Sequence, residues 1–244
     1  MKDALLDIVK FTYGLGSISL VKVVGTQDET KIYANAEDKT VIIDATFHNP
    51  VADFIGVFGM PNLSKLNTIL NTPEYKEDAV LSVNHVTNGE GVKQLTGIHF
   101  ENKVGDFSND YRFMSASMVS ELVKTSKARV QTWDIDIDPS VQSIQRLKFQ
   151  SAANNEENFF ATYVERDNLM VSFGDSSTHS GKFIFHSNVK GRLSKSWLWP
   201  VSVVNNILSL PGDKNLKISD LGLAVISVDS GLAKYNYYLP ANTK

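Results

Sequence analysis

Asp134, Asp136 and Asp138 alternate in the run DIDID, and three carboxylates so close could collect a divalent cation. Their spacing argues against it. Ile135 and Ile137 fill the gaps, so the run has the period of a strand with one wet face, and Pro139 stands where a calcium loop needs glycine. The segment GDSSTHSG at 174–181 gathers Ser, His and Asp, the side chains of a nucleophilic triad. A triad is brought together by a fold from distant positions, whereas this run reads as a polar hairpin loop. The five histidines, at 48, 85, 99, 179 and 186, show no His-x-x-x-His spacing. GLGS at 14–17 lacks the rest of a dinucleotide fingerprint, and no phosphate-binding loop is present. With no cysteine in the chain, thiolate catalysis, disulfides and thiolate metal sites are excluded. The expectation is a non-enzyme with no catalytic residue, no metal and no cofactor.

Charge is more informative when read locally. The 244 residues carry a formal net charge of −3, which gives no global sign of a nucleic-acid partner. One loop, NVKGRLSKS at 188–196, presents Lys190, Arg192 and Lys195, and could touch a phosphate backbone or simply be solvated. Three helix-like segments, 62–73, 140–155 and 201–212, contain no Asp or Glu, where the chain's average would place about four. Their polar residues are Lys65, Asn67, Thr68, Gln142, Gln145, Arg146, Lys148, Gln150, Asn205 and Asn206. Val141, Ile144 and Ala152 suggest an apolar stripe. Gln142, Arg146 and Gln150 recur at i, i+4 and i+8 on another side, with Lys148 nearer the apolar flank. Neutral hydrogen-bonding groups with a few cations suit a polyanion held loosely. A neutral polar face with no partner fits the helices equally well. No aromatic stacking platform for single strands is evident.

The elements that would carry these residues occur twice. At an offset of 138, ALLDIVKF (4–11) lies on QSIQRLKF (142–149), ATFH (45–48) on FIFH (183–186), and LNTIL (66–70) on VNNIL (204–208). Periodicity predicts a helix at 2–12, strands at 17–24, 30–36, 40–48 and 52–58, a helix at 62–71, and strands at 78–86, 94–101 and 110–117. The second half predicts a strand at 130–137, a helix at 139–153, and strands at 157–165, 168–174, 180–187 and 194–199. A helix at 201–210 and strands at 214–219, 222–228 and 232–239 complete it. Asp138 is expected to cap the 139–153 helix, with Pro139 in its first turn. The fold class is α+β: two similar domains, 1–117 and 130–244, each with two helices on antiparallel sheets, joined by a connector at 118–129. The N-terminal MKDALLDIVKF reads as an amphipathic helix rather than a signal peptide, and no run of about 18 apolar residues predicts a membrane span. A reducing cytoplasm is expected.

Several stretches together carry a family resemblance. FIGVFGMPNLSKLNTILNTPEYKEDAVLSV (54–83), DYRFMSASMVSEL (110–122) and the ending KYNYYLPA (234–241) resemble DNA polymerase sliding clamps, including proliferating cell nuclear antigen. LLDIVKFTYGLGSISLVK (5–22) and SVQSIQRLKF (140–149) resemble the clamps of tailed bacteriophages. The resemblance implies a ring: a head-to-tail homotrimer around double-stranded DNA, without sequence preference, its helices lining the hole. Its partners would be a DNA polymerase held for processive synthesis and an ATP-driven clamp loader, in the host cell cytoplasm if phage-encoded. DNA-facing residues would be Lys2, Lys10, Lys65, Gln142, Arg146, Lys148, Gln150 and Asn205. A client-peptide pocket would use Met118, Leu122, Val123, Tyr238, Leu239 and Pro240, residues that could equally pack between domains. The chain departs from this pattern in placing Asp3 and Asp7 on its first helix and no cation on its last. The rival readings are a virion structural protein, β-rich and duplicated, with no DNA role, and, least favoured, a hydrolase or sugar-active enzyme using scattered acids.

Overall fold

Leu5, Ile8 and Val9 recur with helical period in the first residues, with Asp3 in the first turn and Lys10 in the last, where each complements the helix dipole. In the computed structural model, which describes residues 1–76, 78–87, 91, 93–125, 132–175, 177 and 179–242, they form helix α1 (Lys2–Phe11). Leu5 and Ile8 are wholly buried, each contributing about 1.5–3 kcal/mol of hydrophobic stabilisation. The chain divides into two compact units. One comprises Met1–Lys39, Ile43–Ser126 and Ser230–Tyr235; the other comprises Thr40–Ile42, Lys127–Asp229 and Asn236–Lys244.

In the first unit, β1 (Val21–Gly25), β2 (Thr30–Asn35), β3 (Ile42–Phe47) and β4 (Gly56–Met60) form a sheet in the order β4-β1-β2-β3. The opening residues of β15 (Ala233–Pro240) extend it beyond β3. Side chains of β2 alternate between buried and half-buried, as a sheet with one covered face requires. Helix α2 (Leu63–Leu70) buries Leu63, Leu66, Ile69 and Leu70 and packs beside α1. β5 (Val80–Thr87), β6 (Lys93–Glu101) and β7 (Ser108–Arg112) make a second antiparallel sheet in chain order.

The strand expected at 110–117 stops at Arg112, and helix α3 (Ala116–Leu122) follows. Met114 bridges to Gly59 instead of continuing in β7. Val119 and Val123 fall on one side of α3 and are buried. A side chain at Gly59 would come within 2.8 Å of Val119, so the glycine lets α3 settle onto β4. The strand expected at 52–58 begins at Gly56, because Phe54 N–H turns back to the Val51 carbonyl.

The second unit repeats the plan. β8 (Ile135–Ile137) leads to α4 (Val141–Ala153), then β9 (Phe159–Glu165), β10 (Asn168–Phe173), β11 (Gly181–Ser187) and β12 (Trp197–Pro200). Helix α5 (Val201–Ser209), β13 (Asp213–Ser219), β14 (Leu223–Asp229) and β15 follow. The sheet order β12-β9-β10-β11 reproduces β4-β1-β2-β3 strand for strand, and β13-β14-β15 reproduces β5-β6-β7. The duplication read from the 138-residue offset is therefore a duplication of topology. β8 adds to the outer side of β13. Residues 130 and 131 of the strand expected at 130–137, and 126–129 of the expected connector, lie outside the described residues. Among the described residues no helix is long and apolar enough to cross a membrane.

Candidate nucleic-acid interface

Helix α4 begins at Ser140, whose hydroxyl accepts the Ser143 N–H at 3.1 Å. Asp138 is not the cap that was expected. Its carboxylate accepts Asn215 Nδ2 at 3.0 Å instead, leaving Ser140 to satisfy a free N–H of the first turn. Ser143 and Leu147 are buried, and Ile144, Gln150 and Ser151 are half-buried. The expected stripe of Val141, Ile144 and Ala152 is thus displaced: Val141 is 73 % exposed and Ala152 is also exposed. The side facing the protein is set by Ser143, Leu147, Ser151 and Asn154. Ser151 Oγ donates to the Leu147 carbonyl at 2.7 Å and accepts Asn205 Nδ2 at 2.9 Å. Asn154 Nδ2 donates to the Gln150 carbonyl at 2.8 Å. Polar groups satisfied in this way can be buried, which apolar patterning does not reveal.

The opposite face of α4 exposes Val141, Gln142, Gln145, Arg146, Lys148, Phe149, Ala152 and Ala153. Of the predicted set, Gln142, Arg146 and Lys148 share this open surface. Gln150 turns away from it. Its Oε1 accepts Asn154 Nδ2 at 3.2 Å and lies over Gly181 of β11, where a Cβ would approach to 2.2 Å. Asn205 is drawn to Ser151 between α4 and α5, and its Oδ1 is buried without a partner among the described residues. Helix α5 exposes Ser202, Asn206 and Ser209, and α2 exposes Ser64, Lys65 and Thr68. Neither presents a carboxylate.

On α1 the two acids part company. Asp7 is buried, accepting Tyr235 Oη at 2.7 Å and Ser230 Oγ at 3.1 Å. Asp3 and Lys10 remain exposed. Lys2 Nζ donates to the carbonyls of Tyr75 and Lys76, which holds its cation on the edge of α2's following turn. Lys214, at the start of β13, was not among the expected residues. Burial pushes its amine down, and the cation of Lys148 nearby adds to the effect against the opposing pull of Asp213. Lys148 and Lys214 therefore lie within electrostatic reach of each other, with the Asp213 carboxylate between them in effect. In the sequence, Lys214 stands between Asp213 and Asn215, so nothing there marks it.

The remaining candidates separate into surface and core. Met118 and Leu122 are 56 % and 58 % exposed on α3, while Val123 is buried. On β15, Leu239 is buried, Tyr238 half-buried and Pro240 exposed. Val123 and Leu239 are packing residues of their own units. The three aspartates of DIDID diverge to structural partners. Asp134 Oδ2 accepts the Asp220 N–H at 2.7 Å, and Asp136 accepts Asn215 Nδ2 at 2.8 Å while pairing with Lys217 at 2.9 Å. In the 174–181 loop, Asp175 Oδ1 accepts the N–H and hydroxyl of Ser177; Ser176 and Thr178 lie outside the described residues.

Solved structures place this architecture. A. fulgidus PCNA, bound to the C-terminal region of FEN-1, superposes with a TM-score of 0.69 at 10 % identity, covering 100 % of this chain and 96 % of that one. PCNA from Thermococcus kodakaraensis gives a TM-score of 0.63 at 9 % identity, covering 99 % and 95 %. No family model and no curated protein matches the sequence. The chain has the DNA-clamp fold, α+β with two similar units.

Proposed function

We propose that this chain is a DNA polymerase sliding clamp, a non-enzymatic ring that encircles duplex DNA and tethers the replicative polymerase. The observation that carries the reading is the exposed side of α2 and α4. Each helix by itself exposes cations, Lys65 on α2 and Arg146 and Lys148 on α4, among amide, hydroxyl and apolar groups and with no carboxylate, in a fold shared with PCNA. Few cations displace few counterions, so contact with phosphate is weak and indifferent to sequence, as a sliding protein requires.

The duplicated topology supports a head-to-tail ring. In the first unit, the opening of β15 lies beyond β3. The repeat equivalents of β3 and β15 are β11 and β7, and each is the terminal strand of its sheet among the described residues. Pairing β11 of one copy with β7 of the next would repeat the same arrangement between chains. Such a contact is heterologous and gives a ring where the rotation between copies closes, for which we infer a homotrimer. The likeness of SVQSIQRLKF, with Arg146 exposed, supports the tailed-bacteriophage type. The ring would be opened by an ATP-driven clamp loader in the host cytoplasm, and Met118 and Leu122 on α3 would help dock client peptides.

Native mass measurement at increasing concentration, alongside extension by the cognate polymerase on a long primed template, tests the reading. A trimer that lengthens products supports it. A monomer at all concentrations with no effect on product length contradicts it.

A further inference from the structure

Phe149 is 73 % exposed, and it occupies the centre of the open face of α4 rather than its rim. Gln145 and Arg146 lie one turn before it, and Ala152 and Ala153 one turn after. The acids nearest in sequence, Glu156 and Glu157, stand beyond the helix end. A ring this exposed gains little from burial in the unit that carries it. What surrounds it limits what could cover it: two cations, two glutamine amides and no carboxylate on the helix.

We propose that Phe149 is a stacking site for an unpaired DNA base, with Arg146 holding the adjoining phosphate. The proposal rests on the reading that α4 faces DNA, and it extends that reading from duplex to single strand. Bases of a duplex already stack on one another, so they offer the ring no free face; an unpaired base does. Stacking on an aromatic side chain is indifferent to base identity and works beside cations that track the backbone. A clamp with such a site would grip the single-stranded template next to a primer end more firmly than the duplex behind it.

Fluorescence anisotropy with a labelled single-stranded oligonucleotide and a duplex of equal length, on the full chain, tests this. Phe149→Ala is expected to weaken single-strand binding about fivefold or more and to change duplex binding less than twofold, with Phe149→Tyr restoring the single-strand affinity. Equal effects on both DNAs, or none on the single strand, would overturn the proposal. So would a change in native mass without a change in single-strand binding, which would make the ring a contact between copies. Arg146→Ala separates the two levels: if it leaves duplex binding intact, the reading of α4 as DNA-facing fails independently of the Phe149 result.

Discussion

Tyr235 Oη donates a 2.7 Å hydrogen bond to Asp7 Oδ2, joining β15 to the buried side of α1 across 228 positions of sequence. Ser230 Oγ reaches the same oxygen at 3.1 Å, and the ring of Tyr235 stacks on Phe11 at 4.8 Å. An acid that would repel phosphate from α1 is thereby turned inward and used to anchor the helix. Asp7→Ala removes the acceptor of a buried hydroxyl's hydrogen bond, which costs about 1–3 kcal/mol. Chemical denaturation should show that loss. Asp7→Asn, which keeps an acceptor oxygen, should lose less.

Arg146 stands on the open face of α4, where a phosphate contact would be direct. Arg146→Ala should flatten the slope of log affinity for duplex DNA against log salt by about one contact per chain. Arg146→Glu should weaken binding further and shorten polymerase products. Titrations at several salt concentrations measure the first, and gel analysis of extension products the second.

Asp136 couples β8 to β13. The amide of Asn215 and the ammonium of Lys217 hold its carboxyl below the usual carboxylate range, against an opposing contribution from burial. A depressed carboxylate stabilises the native state fully above its unfolded value, near 4, and the stabilisation is lost as pH falls through the folded value. Asp136→Asn should therefore be less stable than the parent at neutral pH, with the two curves converging below about pH 4. Thermal unfolding between pH 7 and pH 2.5 measures this.

Periodicity and turn residues located every helix of eight residues or more among the described residues within a few positions. Leu63, Leu66 and Leu70 show why: three apolar residues at helical spacing leave little choice of face. The face of α4 was harder to see, because its inward positions include buried Ser143 and Asn154 and half-buried Ser151, whose polar atoms are satisfied by Ser140, the backbone and Asn205. Asn205 and Gln150 read as open polar residues for the same reason. Phe149 carries the chemistry of a core residue and no local signal of exposure. The short helix α3 makes barely two turns, too few for a period to register. Arg146 and Lys65 were legible, since the absence of acids around them is a property of the sequence itself.

The claim that the chain encircles DNA is tested most directly by topology. Protein loaded by the cognate clamp loader onto a nicked circular plasmid should stay with the DNA through gel filtration at high salt, where phosphate contacts are screened. Cutting the plasmid once should release it. Retention that survives linearisation, or no retention on the circle, would contradict the account.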